Sequence, residues 1–406
     1  MNCLPPRGRV LVTDGQQRKA LAVVRSLGRR GLACDCGEET FFSTTRFSRH
    51  VAMGLVYPSP TGTPERFYAW LRERLKGGRY AVLYPMDDGT TAVVSRHLEE
   101  IRALVRVPFP PPPSFDRAAD KGLAVEAAAA AGLRVPRSAV VAAAEELVPA
   151  AASIGYPLVM RPRRGSGGRG VVVVQDEEEL RLSYCQLAAL DASPLLQEFL
   201  ATGEKYDVCV LMNERSQPRA VFVQKELRHF PLFAGTSTLQ ESVAPRPDLV
   251  DMSIALLEKL HWQGVAEVEF MVDRDGRPWF MEINPRFWAS LQTAISAGVD
   301  FPYLYYQLAT AGDCPTVREY RTGLRCRWLL PGDIFHFAAN PSRSRLDPPF
   351  WSFRAPDTVD DIISAEDPGP ILGFGLAALR YLFSIRMWRM LLRRQVRVRR
   401  RKRPDG

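Results

Sequence analysis

Two alternating apolar runs, residues 264–272 and 278–283, flank Asp273-Arg274-Asp275-Gly276. An Asp-Gly pair between such runs commits the chain to a β-hairpin. This hairpin also carries charge, with Glu269 in its first strand, Glu282 and Asn284 in its second, and Arg286 just beyond. Side chains two residues apart on a strand share a face, so Glu282 and Asn284 point the same way and Arg286 continues the alternation. The turn lies about midway between Glu269 and Glu282, so pairing brings the two carboxylates together. Carboxylates buried without partners are costly. Two of them with an amide oxygen form a hard donor set suited to Mg²⁺ shared with nucleotide phosphates. A fixed guanidinium at Arg286 can stabilise charge on a transferring phosphoryl group. The plainer alternative, a salt-bridged polar hairpin, explains one carboxylate better than four polar residues together.

Upstream, residues 10–12 read as a buried strand and 20–30 as a helix with Ala20, Val23, Val24 and Leu27 inward, closed by Gly31. A second strand at 81–84, then Asp87-Asp88-Gly89 and a helix through Val93, Val94 and Leu98, repeats the pattern. Strand–loop–helix alternation predicts a parallel α/β layer with its functional edge at the strand C-termini. No Gly-x-Gly-x-x-Gly follows the first strand, so the layer reads as a packing domain that contributes one wall of a site. Phe109 and the four prolines after it form a stiff extended boundary. Beyond them a helix is expected over 118–131 and another over 145–154. Strands at 156–162 and 171–174 flank the turn Gly165-Ser166-Gly167-Gly168-Arg169-Gly170. Further strands are expected at 195–199, 207–212 and 220–224, and helices at 249–260 and, around Gly298, at 289–311.

The glycine turn offers backbone N–H groups to a triphosphate, with Arg163, Arg164 and Arg169 adding charge. A mobile surface hairpin is the competing reading, and no Gly-Lys-Ser/Thr makes it a Walker A loop. Gln197-Glu198-Phe199-Leu200 is an extended segment whose backbone can hydrogen-bond an adenine edge, with Glu204 near enough for ribose hydroxyls. Gly235-Thr236-Ser237-Thr238, with Arg228 nearby, reads either as a substrate loop or as an ordinary connection.

Placed in order, Asp120-Lys121, the strand into Gly165–Gly170, Gln197–Leu200, Glu204 and the hairpin VEF…FMEINPR resemble the ATP-grasp superfamily, which includes biotin carboxylase, carbamoyl-phosphate synthetase and D-alanine–D-alanine ligase. The resemblance covers roughly residues 115–312. It implies an α/β and α+β chain: a parallel α/β domain at 1–113, then a two-lobed ATP-grasp domain with lobes at 114–190 and 191–315. An irregular extension at 316–370 and a basic amphipathic helix at 371–406 complete the expected organisation. By position, the resemblance implies ATP and Mg²⁺, with Mn²⁺ as the alternative ion. Lys121, Arg161, Gly165, Ser166, Gly167, Gly168, Gly170 and Lys225 would meet phosphates, Gln197, Glu198, Phe199 and Leu200 the adenine, and Glu204 the ribose. Glu269, Glu282 and Asn284 would bind the metal, and Arg286 would sit at an acyl phosphate. Where the family commonly has Lys, this chain has Arg161, which keeps the charge but replaces a point contact with a planar fork.

The segment INPRFWASLQTAISAGVDFP is most similar to the carboxylate–amine ligase branch, which implies small-molecule carboxylate and amine substrates and an amide product. Two rival readings remain. A nucleotide-binding or scaffold protein with a decayed site is favoured by Arg161. Carboxylase-type activation of bicarbonate finds neither a biotin-carrier segment nor a second ATP-grasp copy.

The formal charge of +9 belongs to one end of the chain. Eleven of the 54 Lys/Arg lie between Arg380 and Arg403, and the other 43 face 44 Asp/Glu in residues 1–379. Arginines at 386, 389, 393, 397 and 400 follow one helical face beside Leu382, Phe383, Trp388 and Leu391. Such a segment, residues 371–403, suits an anionic membrane surface, an acidic partner, or packing on the body with a solvated end. No recognition module for nucleic acid accompanies it. Seven scattered cysteines and five isolated histidines form no metal-ligand spacing, so reduced thiols in a cytoplasmic protein, or one peripheral at the inner membrane face, are expected.

Overall fold

The computed structural model describes residues 8–187, 191, 193–200, 203–233, 235–352, 355 and 357–382. They divide into two compact units. The first holds the described residues of Met1–Val135 and Thr202–Ala377, the second those of Pro136–Ala201 and the described chain beyond Ala377.

The first unit opens with four strands, β1 (Arg9–Val12), β2 (Ala33–Glu38), β3 (Val51–Val56) and β4 (Tyr80–Tyr84). They form one parallel sheet in the order β3-β2-β1-β4. The expected parallel layer is present, with two more strands than the sequence reading found. β2 escaped because it reads ACDCGE and places Asp35 in a buried position, where Arg9 Nε (2.9 Å) and Tyr80 Oη (2.7 Å) donate to it. The single helix expected over 118–131 is two helices, Pro112–Ala119 and Lys121–Ala130. Asp120 divides them: its carboxylate accepts from the backbone N–H of Gly122 (3.0 Å) and Leu123 (3.3 Å), an N-cap that starts a new helix. The first of these helices begins inside the proline run read as extended, since proline is tolerated in a first helical turn.

The second unit carries β5 (Ser138–Val140), β6 (Leu158–Arg161), β7 (Val172–Val174) and β8 (Leu195–Glu198). They are antiparallel in the order β5-β8-β6-β7. β6 and β7 make the expected hairpin around the glycine turn, where Gly165, Gly167, Gly168 and Gly170 all take positive φ.

Back in the first unit, β9 (Glu204–Met212), β10 (Pro218–Phe230), β11 (Thr236–Ser242), β12 (Gly264–Val272), β13 (Pro278–Asn284), β14 (Arg325–Arg327) and β15 (Thr358–Asp360) form one sheet ordered β13-β12-β9-β10-β11-β14-β15. Two expectations are corrected here. Thr236-Ser237-Thr238 is no loop: it opens β11, Ser237 and Thr238 are buried, and Arg228 is buried against Asp333 at 3.0 Å. The extension read as irregular supplies β14 and β15 and the helix Ile334–Ala339.

Strand alternation gives the sheet two faces. Val208, Val210, Val221, Val223, Val268 and Phe270 pack one face on the helices Lys121–Ala130 and Pro247–Lys259. On the other, Leu211, Ala220, Phe222 and Val265 pack in one core with Val10, Val12 and Tyr84 of the parallel sheet and Phe287 and Trp288 beyond β13. Among the described residues no helix is long and apolar enough to cross a membrane. Helix Gly369–Leu382 covers the start of the basic segment, and residues 383–406 lie outside the described residues.

Candidate active site

On the face shared with the parallel sheet, the side chains change from apolar to charged along the strands. The register sets Glu282 opposite Glu269, Glu269 opposite Asp207, Asp207 opposite Gln224, and Gln224 opposite Ser242, one polar row across five strands. Beside it Asn284 pairs with Glu267. The Asn284 amide donates to Glu267 Oε2 at 2.9 Å and to Glu269 Oε1 at 2.6 Å. On the row's other side Lys205 pairs with Glu226, and Lys205 Nζ stands 3.6 Å from Glu226 Oε2. Lys121 Nζ, from the N-terminus of its helix, reaches 3.9 Å from Glu282 Oε2 at the edge strand β13.

The electrostatics follow from crowding like charges in little water. Burial, then Glu226, Glu267 and Glu269, push the Asp207 carboxyl well above its usual range. Burial and Glu269 do the same to Glu267. Burial works against the Lys205 ammonium, yet Glu226, Glu269, Asp207 and Glu282 leave its pKa raised. The face therefore favours cations. Two carboxylates in register, with an amide beside them, are donors of the kind Mg²⁺ takes. Among the described residues no three His, Cys, Asp or Glu side chains already form a metal cage, so further oxygens would have to complete the shell.

Arg286 links this face to the parallel layer. Its Nε donates to Asp88 Oδ1 at 2.6 Å, and Asp88 opens the helix after β4, whose N-cap is Asp87. Asp87 holds Lys19 at 3.2 Å. Burial opposes the Arg286 charge, but Asp88 and Asp87 outweigh it and raise its pKa. Burial and Arg286 lower Lys19.

The other predicted residues fall in two places. Glu204 and Lys225 lie on the opposite sheet face, paired with each other at 2.6 Å beside Tyr206. Arg161, Gly165, Ser166, Gly167, Gly168, Gly170, Gln197, Glu198, Phe199 and Leu200 all belong to the second unit. There Gln197 is buried, with its amide on Ser138 Oγ at 3.1 Å, and Glu198 accepts from Arg137 Nε at 3.2 Å. The sequence reading missed Lys205, Asp207, Gln224, Glu226 and Glu267. Their only sequence signal was a pair of polar residues two apart in each strand: Lys205 and Asp207 in β9, Gln224 and Glu226 in β10, Glu267 and Glu269 in β12.

Residues 120–314 match the family described as carbamoyl-phosphate synthase L chain, ATP binding domain. This stretch is an ATP-grasp domain. The chain is 24% identical over 189 residues to a D-alanine–D-alanine ligase from Pseudomonas entomophila, covering 43% of this chain and 58% of that ligase. It therefore spans little more than half the length of that relative. Among solved structures, a biotin carboxylase–beta-gamma-ATP complex from Campylobacter jejuni has a TM-score of 0.66 at 16% identity, over 78% of this chain and 74% of that one. An L-amino acid ligase from Bacillus licheniformis gives 0.58 at 17%, over 75% of each chain. The structural likenesses share the fold, and relatives of the ATP-grasp domain are ATP-dependent ligases.

Proposed function

We propose that this chain is an ATP-dependent ligase that joins a carboxylate to an amine through an acyl phosphate. The observation that carries the reading is the row Glu282–Glu269 with Asn284 beside it and Arg286 fixed by Asp88, inside an ATP-grasp domain. Two similar proteins bear names of this class, the D-alanine–D-alanine ligase and the L-amino acid ligase. In this reading Glu269, Glu282 and Asn284 hold Mg²⁺, which when bound supplies charge neutralisation to nucleotide phosphates. Lys121 of the first unit meets a phosphate oxygen; within the second unit, Arg161 and the turn Gly165–Gly170 are a phosphate-binding set of their own, and Glu198–Leu200 an adenine-binding one. Glu204 and Lys225 are assigned no role, since they pair on the face away from the carboxylate row.

Arg286 is held in one orientation by Asp88, so its guanidinium meets the anionic acyl phosphate without reorganising. No protein nucleophile is required. Holding the two reactants together and neutralising charge provide the catalysis. The test is turnover of ATP with pooled carboxylic acids and hydroxylamine, reading hydroxamates by mass spectrometry. Hydroxamate is expected only with ATP and Mg²⁺, and Glu282→Gln is expected to lower it about a hundredfold or more. Equal product from the variant would sink the metal assignment. No hydroxamate from any pool, together with no binding of Mg·ATP, would sink the ligase reading.

A further inference from the structure

Beyond the metal carboxylates, the polar face continues onto β10, where Gln224 and Glu226 stand two residues apart and point the same way as Asp207. Both are about nine-tenths buried or more. Each leaves an acceptor unmet: Gln224 Oε1 and Glu226 Oε2 are buried and receive no hydrogen bond. The Gln224 amide cannot be turned to repair this. Its Nε2 donates to Asp207 Oδ2 at 2.9 Å and to Ser290 Oγ, which fixes the oxygen on the other side. The nearby cations satisfy Glu226 only in part. Lys205 meets Oε2 as a long ion pair at 3.6 Å, and Arg18 is spent on Asp361 and on the Ser237 carbonyl at 2.7 Å.

Two unmet buried acceptors in a face that attracts cations call for a ligand that brings N–H donors and positive charge. We infer that Gln224 and Glu226 form the subsite for the primary amine substrate, which enters as an ammonium and donates to both oxygens. This rests on the ligase reading, and it adds the charge class in which the amine arrives and the residues that select it; the ammonium passes one proton to Glu226, the freed lone pair attacks the acyl carbon, and phosphate leaves. Acceptors on alternate strand residues, about 7 Å apart at the backbone, can converge on one ammonium with bonds near 2.9 Å. A neutral hydroxyl nucleophile would bring a single donor and no charge, so the site discriminates against it. Gln224 and Glu226 share the sheet face with Glu269 and Glu282, with Asp207 of β9 between, so the subsite would lie on the same face as the residues that would hold the metal.

The experiment is a ligand-observed NMR titration of the full chain with n-propylammonium chloride in the presence of Mg²⁺, with sodium chloride at equal ionic strength and n-propanol as controls. The wild type is expected to bind propylammonium and not propanol, and Glu226→Gln to weaken binding about tenfold or more. Gln224→Met is the second variant and decides the matter should Glu226→Gln not fold. Mg·ATP binding is followed in parallel and is expected in both variants. Absence of propylammonium binding above the salt control, or equal binding by wild type and variants, overturns the subsite. Loss of Mg·ATP binding with propylammonium binding intact would instead strike the ligase reading alone.

Discussion

Arg286 is the residue whose surroundings define its work most narrowly. It is buried, Asp88 orients it at 2.6 Å, and its Nη1 donates to the Phe287 carbonyl at 3.1 Å. Lysine would keep the charge but cannot satisfy both acceptors while presenting a fork to phosphate. Arg286→Lys is therefore expected to lower hydroxamate formation about a hundredfold with Mg·ATP binding nearly intact; a loss under about threefold would show that charge alone matters. Glu38 is a second residue with a readable environment. Burial pushes its carboxyl from 4.5 up to about 7, although the backbone N–H groups of Gln16 and Glu39 donate to it and pull the other way. A raised carboxyl pKa means that the neutral form fits the fold. Its contribution is complete below about 4.5 and is lost as pH rises through about 7. Relative to wild type, Glu38→Gln is expected to gain about 2 kcal/mol between pH 5 and pH 8 in urea unfolding. Identical differences at both pH values would refute the shift.

At the scale of elements, the helix Lys121–Ala130 shows how local chemistry aims a side chain. It is alanine-rich, and Asp120 fixes its first turn, so Lys121 emerges beside β13 and reaches Glu282. Asp120→Ala is expected to cost about 1 kcal/mol of stability and, by letting that turn fray, to weaken Mg·ATP binding. A stability loss with Mg·ATP affinity unchanged would detach the cap from the positioning of Lys121. The Asp-Gly hairpin was legible because turn chemistry and alternation agree, and its register sets Glu269 opposite Glu282. The strands β2 and β3 were not, since a buried Asp35 and small residues blur their period. Asp207, Gln224 and Glu226, on the same sheet face as Glu269, were hidden for another reason. Their sequence separation from Glu269 is bridged only by the register of β9 with β10 and β12, which alternation by itself does not fix. Glu204 and Lys225 illustrate the same limit, for a one-residue difference in parity puts them on the other face.

Across the whole molecule, the first helix ties the start of the chain to its far end. Arg18, Lys19 and Arg25 of helix Arg18–Arg29 are all buried, an arrangement that survives only with partners. Arg25 has four: Asp367 Oδ2 at 2.9 Å, and the carbonyls of Asp361 (3.2 Å), Ile362 (2.8 Å) and Asp367 (3.0 Å). Asp367 also accepts from Ser48 Oγ at 2.7 Å and from the Arg49 N–H at 2.9 Å. One guanidinium thus anchors the stretch 361–367, and through Asp360 in β15 the end of the large sheet. Removing it leaves three carbonyls without this donor and Asp367 with only Ser48 and Arg49. Arg25→Ala is expected to cost about 3–5 kcal/mol in urea unfolding. Because the anchor is local, limited proteolysis is also expected to cut within residues 340–360 sooner than elsewhere. Arg25→Lys, which can serve at most some of these acceptors, is expected to fall between the two. A loss below about 1 kcal/mol, the range of an exposed ion pair, would mean that the far segment is held by its β14–β15 pairing instead.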